Sequence, residues 1–224
     1  MKEEDGLKET LINSNDYIKS EEIPKIHGTI CKFDKFYGPN IGTGFYLKIP
    51  YKEKYIMALL TCNHVLKIGE NISTIYYYQG NNKKNLDLKG RKKWESESNN
   101  LDYTCIQILE KDNIKNFLEI DKNILNGNYF SSKKNRLIQI YDFQLKLSVG
   151  NIEPKTYKDD KEEKYIYYSC NTQPGWSGGP ILTCDNLLIG VHNTGCSKAN
   201  KGINIKCIIN DIIKQIEEKE NKES

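Results

Sequence analysis

Residues 173–180 read Gln173-Pro174-Gly175-Trp176-Ser177-Gly178-Gly179-Pro180. A serine ahead of two glycines and a proline marks a tight loop in which backbone N–H groups can converge, since glycine adopts conformations that other residues resist. On either side lie short apolar runs, Tyr165–Ser169 before the loop and Ile181–Thr183 and Leu187–His192 after it. The same texture recurs upstream at Gly28–Phe33, Gly42–Ile49, Tyr55–Thr61, Ile72–Tyr78, Leu101–Leu109, Arg136–Tyr141 and Lys146–Ile152. These runs are rich in Ile, Tyr, Val, Phe and Thr, which suit a pleated surface. Gly, Asn, Asp and Lys clusters separate them, as turns require. Many short strands with turn punctuation predict an all-β sandwich or barrel.

The end of the chain differs. Ile208, Ile209, Ile212, Ile213 and Ile216 recur at helical spacing, so 207–216 is read as a helix followed by a charged tail, Glu217 to Ser224. The polar first 25 residues read as an arm or a short helix. Loop-like Lys111-Asp112-Asn113 and Asn126-Gly127-Asn128 put a boundary between two β halves near 110–130. The predicted organisation is therefore an arm over 1–25, a first β-barrel over 26–120, a second over 121–206, and a helix and tail over 207–224.

Composition excludes several classes. The 224 residues are 38% hydrophobic and 28% charged, as in a globular domain. No apolar run approaches the roughly 18 residues of a membrane helix. The 33 basic and 30 acidic residues are interspersed, which is not a nucleic-acid footprint. Only Lys83 to Lys93 is locally basic, and it reads as a loop. Seven cysteines without a CxxC pair suggest reduced thiols, not a zinc site or a disulfide framework. The start, Met1-Lys2-Glu3-Glu4-Asp5, lacks a signal-peptide pattern, so the expected location is cytoplasmic.

Two further stretches carry chemistry. In Leu59-Leu60-Thr61-Cys62-Asn63-His64-Val65-Leu66 a histidine stands where an apolar strand turns; in Leu101-Asp102-Tyr103-Thr104 a carboxylate opens a strand. Each has an ordinary structural explanation alone. Together, in the order His, Asp, Ser, they supply an imidazole base, a carboxylate to orient it and a hydroxyl nucleophile. Asp87 is the alternative carboxylate, disfavoured by the basic residues around it.

On these residues the sequence resembles the trypsin/chymotrypsin-like serine peptidases, and within them the glutamyl-endopeptidase-like branch. The matching pieces are Gly42-Thr43-Gly44-Phe45, Thr61-Cys62-Asn63-His64, Leu101-Asp102-Tyr103-Thr104, Gly175-Trp176-Ser177-Gly178-Gly179-Pro180 and Ile189-Gly190-Val191-His192-Asn193-Thr194-Gly195. The resemblance implies two antiparallel six-stranded β-barrels with a C-terminal α-helix, and a serine endopeptidase acting through an acyl-enzyme without cofactor or metal. It implies His64 as general base, Asp102 as its orienter, Ser177 as nucleophile, and the N–H groups of Gly175 and Ser177 as oxyanion hole. Asn193, Thr194 and Gly195 would pair with a peptide or protein substrate as an added strand.

For the substrate side chain before the cut, the resemblance points to Asn171, Thr172 and His192. Thr172 lies five positions before Ser177 and His192 fifteen after it. A hydroxyl donor and a ring N–H suit a carboxylate or an amide carbonyl, so cleavage is expected after Glu first, with Gln or Asp as alternatives. An imidazolium would favour Glu, and a neutral ring would bring Gln closer to parity. Trypsin-type zymogens carry Asp just before the serine; here the residue is Trp176. Activation by a newly cut N-terminus is therefore not expected; the chain would be active as translated, or controlled by the 1–25 arm or by a partner acting through it. The alternative reading is a catalytically silent domain that binds a peptide or protein partner.

Overall fold

The computed structural model describes residues 23–34, 41–69, 72–96, 101–126, 136–153, 163–195 and 199–223. Of the segment read as an arm, residues 1–22 lie outside the described residues, and Ile23–His27 form a short helix, α1. The strands form two antiparallel sheets. The first holds β1 (Ile30–Phe33), β2 (Gly42–Tyr51), β3 (Lys54–Thr61), β4 (Thr74–Gln79), β5 (Asn82–Asp87), β6 (Lys93–Glu95) and β7 (Thr104–Gln107), in the order β5-β4-β1-β2-β3-β7-β6. The second holds β8 (Leu137–Tyr141), β9 (Leu147–Asn151), β10 (Tyr165–Tyr168), β11 (Pro180–Thr183), β12 (Leu188–Thr194) and β13 (Asn200–Asn204), in the order β10-β13-β12-β11-β8-β9. A bridge between Ile152 and Tyr168 draws the two edges of the second sheet together. The fold is the mostly β, chymotrypsin-like arrangement that the sequence predicts.

Several details differ from expectation. Strand β13 and the short β6 lie in none of the predicted runs. The first sheet has seven strands, not six, because the basic stretch read as a loop holds most of strand β5 and the start of β6. β5 is an edge strand whose Lys83 and Lys84 face solvent, a usual protection of an open edge, so its composition is that of a loop. Gly80, with φ 57°, and Asn81 make the two-residue turn that sets its register against β4, from Gln79 opposite Asn82. The C-terminal helix α3 spans Ile205–Glu223, well beyond 216. Its last turns are held at the β2–β3 turn, where Tyr51 Oη and Lys52 Nζ each reach Glu220 at 3.2 Å.

Burial explains why the elements sit where they do. Each buried Ile or Leu is worth about 1.5–3 kcal/mol relative to exposure. Along α3, Ile208, Ile209, Ile212 and Ile216 are all buried. The segment between the sheets is bonded to both. The Leu118 N–H donates to Tyr46 O at 2.9 Å, and the Leu188 N–H donates to Glu119 O at 2.8 Å. A short helix, α2 (Lys122–Leu125), follows, capped by the Asp121 carboxylate on the Asn123 N–H. The linking segment thus ties β2 of the first sheet to β12 of the second, and the three sequence motifs meet between the sheets. Among the described residues no helix is long and apolar enough to cross a membrane.

Candidate active site

β3 ends at Thr61, and the chain turns as the Val65 and Leu66 N–H groups both donate to the Cys62 carbonyl at 3.1 Å. His64 stands in that turn. Thr61 pairs with Thr104 of β7, so Asp102, just ahead of β7, is brought alongside. His64 Nδ1 lies 2.5 Å from Asp102 Oδ2, and the His64 backbone N–H donates to Asp102 Oδ1 at 2.9 Å. The Asn193 amide adds a third donor, 2.6 Å from Oδ2. Burial alone would raise the Asp102 carboxyl. The His64 ring and backbone N–H and the Asn193 amide outweigh that and hold it below its ordinary value. An ionised Asp102 fixes the ring proton on Nδ1 and leaves Nε2 as an acceptor.

Ser177 reaches the same place from the second sheet. Its loop is anchored to β2: the Thr43 N–H donates to Ser177 O, and Thr43 Oγ1 donates to Gly175 O, both at 2.8 Å. Gly175 has φ 98°, and a Cβ there would lie 2.7 Å from Phe143 Cε1, so glycine is required on both counts. Gly178, φ 84°, is equally constrained, its Cβ position being 2.0 Å from Thr43 O. The Trp176 N–H donates to Gln173 O and the Gly178 N–H to His192 O. Among the described residues, the N–H groups of Gly175 and Ser177 have no protein acceptor. The Ser177 hydroxyl donates to the Asn193 carbonyl at 3.1 Å; the expected hydrogen bond to His64 is not formed.

The residues expected to line the pocket are placed unequally. Asn171 is exposed, its N–H on Ser148 Oγ at 2.8 Å. Thr172 donates its hydroxyl to Asn200 Oδ1 at 2.9 Å, and the Asn200 amide in turn donates to Cys170 O. The hydroxyl proton assigned to a substrate is therefore engaged within the protein, and Thr172 can only accept. His192 is 2% exposed, and its Nδ1 meets the Tyr168 hydroxyl. Burial, then the His64 charge, pushes the His192 ring down to about 4, while burial pushes the Tyr168 hydroxyl up. Tyr168 therefore donates to Nδ1, and the neutral ring carries its proton on Nε2. Gly195 borders the pair, since a Cβ there would lie 3.0 Å from Asn200 Oδ1 and 3.3 Å from Thr172 Oγ1. β11 begins at Pro180, opposite Val191, and Thr194 pairs with Lys201, so Asn193–Gly195 have β13 on one side only among the described residues.

Cys62, His64 and Asp102 bring a thiol sulfur, a ring nitrogen and a carboxylate oxygen within 4.8 Å of one another. The nitrogen and oxygen are already bonded, and the thiol donates to His192 O at 3.3 Å. The structure thus brings His64, Asp102, Ser177, Gly175 and Asn193 together, and Thr172, His192 and Gly195 beside them. It leaves Asn171 and Thr194 exposed. Sequence reasoning missed the Asn193 side chain on Asp102, Tyr168 behind His192 and Asn200 on Thr172.

The profile of the Trypsin-like peptidase domain matches residues 42–191. No curated protein sequence matches significantly. Among solved structures, the chain is similar to Rv3671c of M. tuberculosis H37Rv in an inactive form, at 12% identity and TM-score 0.57 over 88% of this chain and 91% of that one. It is similar to a serine protease of human pathogenic astrovirus, at 19% identity and TM-score 0.52 over 80% and 90%. It is also similar to a serine endoprotease of Yersinia pestis, at 13% identity and TM-score 0.59 over 93% and 68%. At these identities the likeness is one of fold.

Proposed function

The chain belongs to the trypsin-like peptidase domain family, and from that premise we propose that it is a serine endopeptidase that cuts peptide bonds through an acyl-enzyme on Ser177. The observation that carries this is the His64–Asp102 pair, 2.5 Å apart, beside a loop whose Gly175 and Ser177 N–H groups are unengaged. In this reading His64 Nε2 takes the Ser177 proton as the hydroxyl attacks the scissile carbonyl. The two N–H groups receive the oxyanion, and His64 returns the proton to the leaving amine. Asn193 supports the pair by clamping Asp102. A substrate main-chain N–H that takes the Asn193 carbonyl displaces the Ser177 hydroxyl from it and frees it for His64.

The pocket of Thr172, His192 and Gly195 takes the side chain before the cut. Among the described residues that line it, none is a carboxylate for Lys or Arg. His192 offers a neutral Nε2–H, not a positive charge, which suits an amide carbonyl at least as well as a carboxylate. Gln therefore stands level with Glu, a revision of Glu first, and the shorter Asp ranks below both. The second reading, a silent peptide-binding domain, is favoured by the absent Ser177–His64 bond. Cleavage profiling on a peptide library, with Ser177→Ala as control, tests both. Cuts after Gln and Glu that vanish in the control are expected. A profile dominated by Lys, Arg or Phe would refute the pocket, and no Ser177-dependent cleavage would favour the silent domain.

A further inference from the structure

Tyr103 follows Asp102 and Asn63 precedes His64, and neither has a part in the chemistry above. Both are tied to the C-terminal helix. Tyr103 is fully buried, and its hydroxyl donates to Asp211 Oδ2 on α3 at 2.5 Å. Burial and the neighbouring Asp211 push that hydroxyl up, so it stays a donor. Gln215 Nε2, one turn along, lies 3.0 Å from the same Asp211 oxygen, 3.1 Å from Tyr103 Oη and 2.9 Å from the Glu95 carbonyl, its two protons shared among these three acceptors. The Glu95 carboxylate accepts from the Asn63 amide at 3.4 Å and from the Ile68 N–H at 3.0 Å. Asn63 also donates to Thr104 Oγ1 at 3.1 Å, and Thr104 donates to Leu66 O at 2.7 Å. One network thus runs from α3 to the residue beside Asp102, and through Glu95 to the residue beside His64.

The helix itself issues directly from β13 of the second sheet, while Asp102 and His64 stand on the first. Among the described residues, the Asp102 segment is held to the end of β6 by the Tyr103 N–H on Ser96 Oγ at 3.4 Å and the Ser96 N–H on Tyr103 O at 3.2 Å. We propose that Asp211 and Gln215 are positioning residues for catalysis: by gripping Tyr103 and Glu95 they set Asp102 against His64, so the second sheet's helix fixes the geometry of the first sheet's pair. The inference rests on the triad reading given above. Asp102 must hold the His64 imidazole within about half an ångström, so a loosened grip should lower the chemical step and leave binding alone.

The test uses a fluorophosphonate probe, with its labelling of Ser177 resolved into a binding constant and a maximal rate. Tyr103→Phe and Asp211→Leu should each lower the maximal rate roughly tenfold, the scale of one lost hydrogen bond between partly buried groups, with binding changed less than about twofold. Asp211→Asn, which keeps an acceptor for Tyr103, should recover most of the rate. In an Asp102→Asn background, Tyr103→Phe should cost less than about twofold, because it acts through Asp102. Circular dichroism and a cooperative melt confirm that each variant is folded, and Gln215→Leu stands in for any that is not. An unchanged rate, or the same loss in both backgrounds, overturns the positioning role. If Asp102→Asn alone labels at the parent rate, the triad reading itself has failed and this inference falls with it.

Discussion

Gly175 carries two demands in one residue, a φ of 98° and a neighbour, Phe143, where a Cβ would stand. Gly175→Ala should tilt the N–H proposed to receive the oxyanion and lower kcat by about 10²–10³, the cost of one such donor, with a smaller effect on KM. Steady-state kinetics on a cleaved peptide measures the split, and an unchanged kcat would refute the oxyanion assignment. His192 makes a second demand. Its folded value of about 4 lies below its ordinary 6.5, so the unfolded chain binds the proton first. The stability owed to the neutral ring is whole above about pH 6.5 and is lost as pH falls towards 4, at most about 3 kcal/mol from this residue. Urea unfolding between pH 7 and 4 should show that fall, and His192→Gln should flatten it. A parent curve no steeper than that of His192→Gln would contradict a buried neutral ring.

At the scale of elements, β12 does two things, pairing with β11 and β13 over most of its length and carrying the chain into Asn193–Gly195, past the start of β11. Gly195→Val would crowd the Thr172–Asn200 pair at the pocket mouth. The expected result is a KM raised about tenfold, about 1.4 kcal/mol of binding, with kcat nearly unchanged. Peptide kinetics checks it, and an unaltered KM would move the substrate strand elsewhere. The strands and the three motifs were legible because their signals are local: apolar runs between turns, a serine among glycines, a histidine closing a strand. Residues that matter only through register were not. Asn200 faces Tyr168 across β10 and β13, and Asn193 meets Asp102 from 91 positions away, so no local pattern announces either. β5 was missed because an edge strand covered in lysine looks like a loop. The end of α3 was missed because its Glu and Lys residues are good helix formers that also compose tails.

For the whole molecule, the two sheets contribute different groups to one site, His64 and Asp102 from the first and Ser177, Asn193 and His192 from the second. Trp176, 5% exposed, fills the position where a zymogen would carry an ion-pairing Asp. Removal of residues 1–22 should therefore create no need for a new N-terminal amine, whether turnover is unchanged or altered by loss of the arm. Activity lost on that removal and restored only by a freshly cut amine would contradict it. The central claim is that Ser177 is an activated nucleophile, although in this structure its hydroxyl rests on the Asn193 carbonyl. Mass-spectrometric mapping of a fluorophosphonate adduct on the purified chain tests that claim most directly. A single adduct on Ser177, absent from His64→Ala and slowed by roughly 10⁴ in Asp102→Asn, is expected; no adduct on Ser177, or one indifferent to His64, would contradict it.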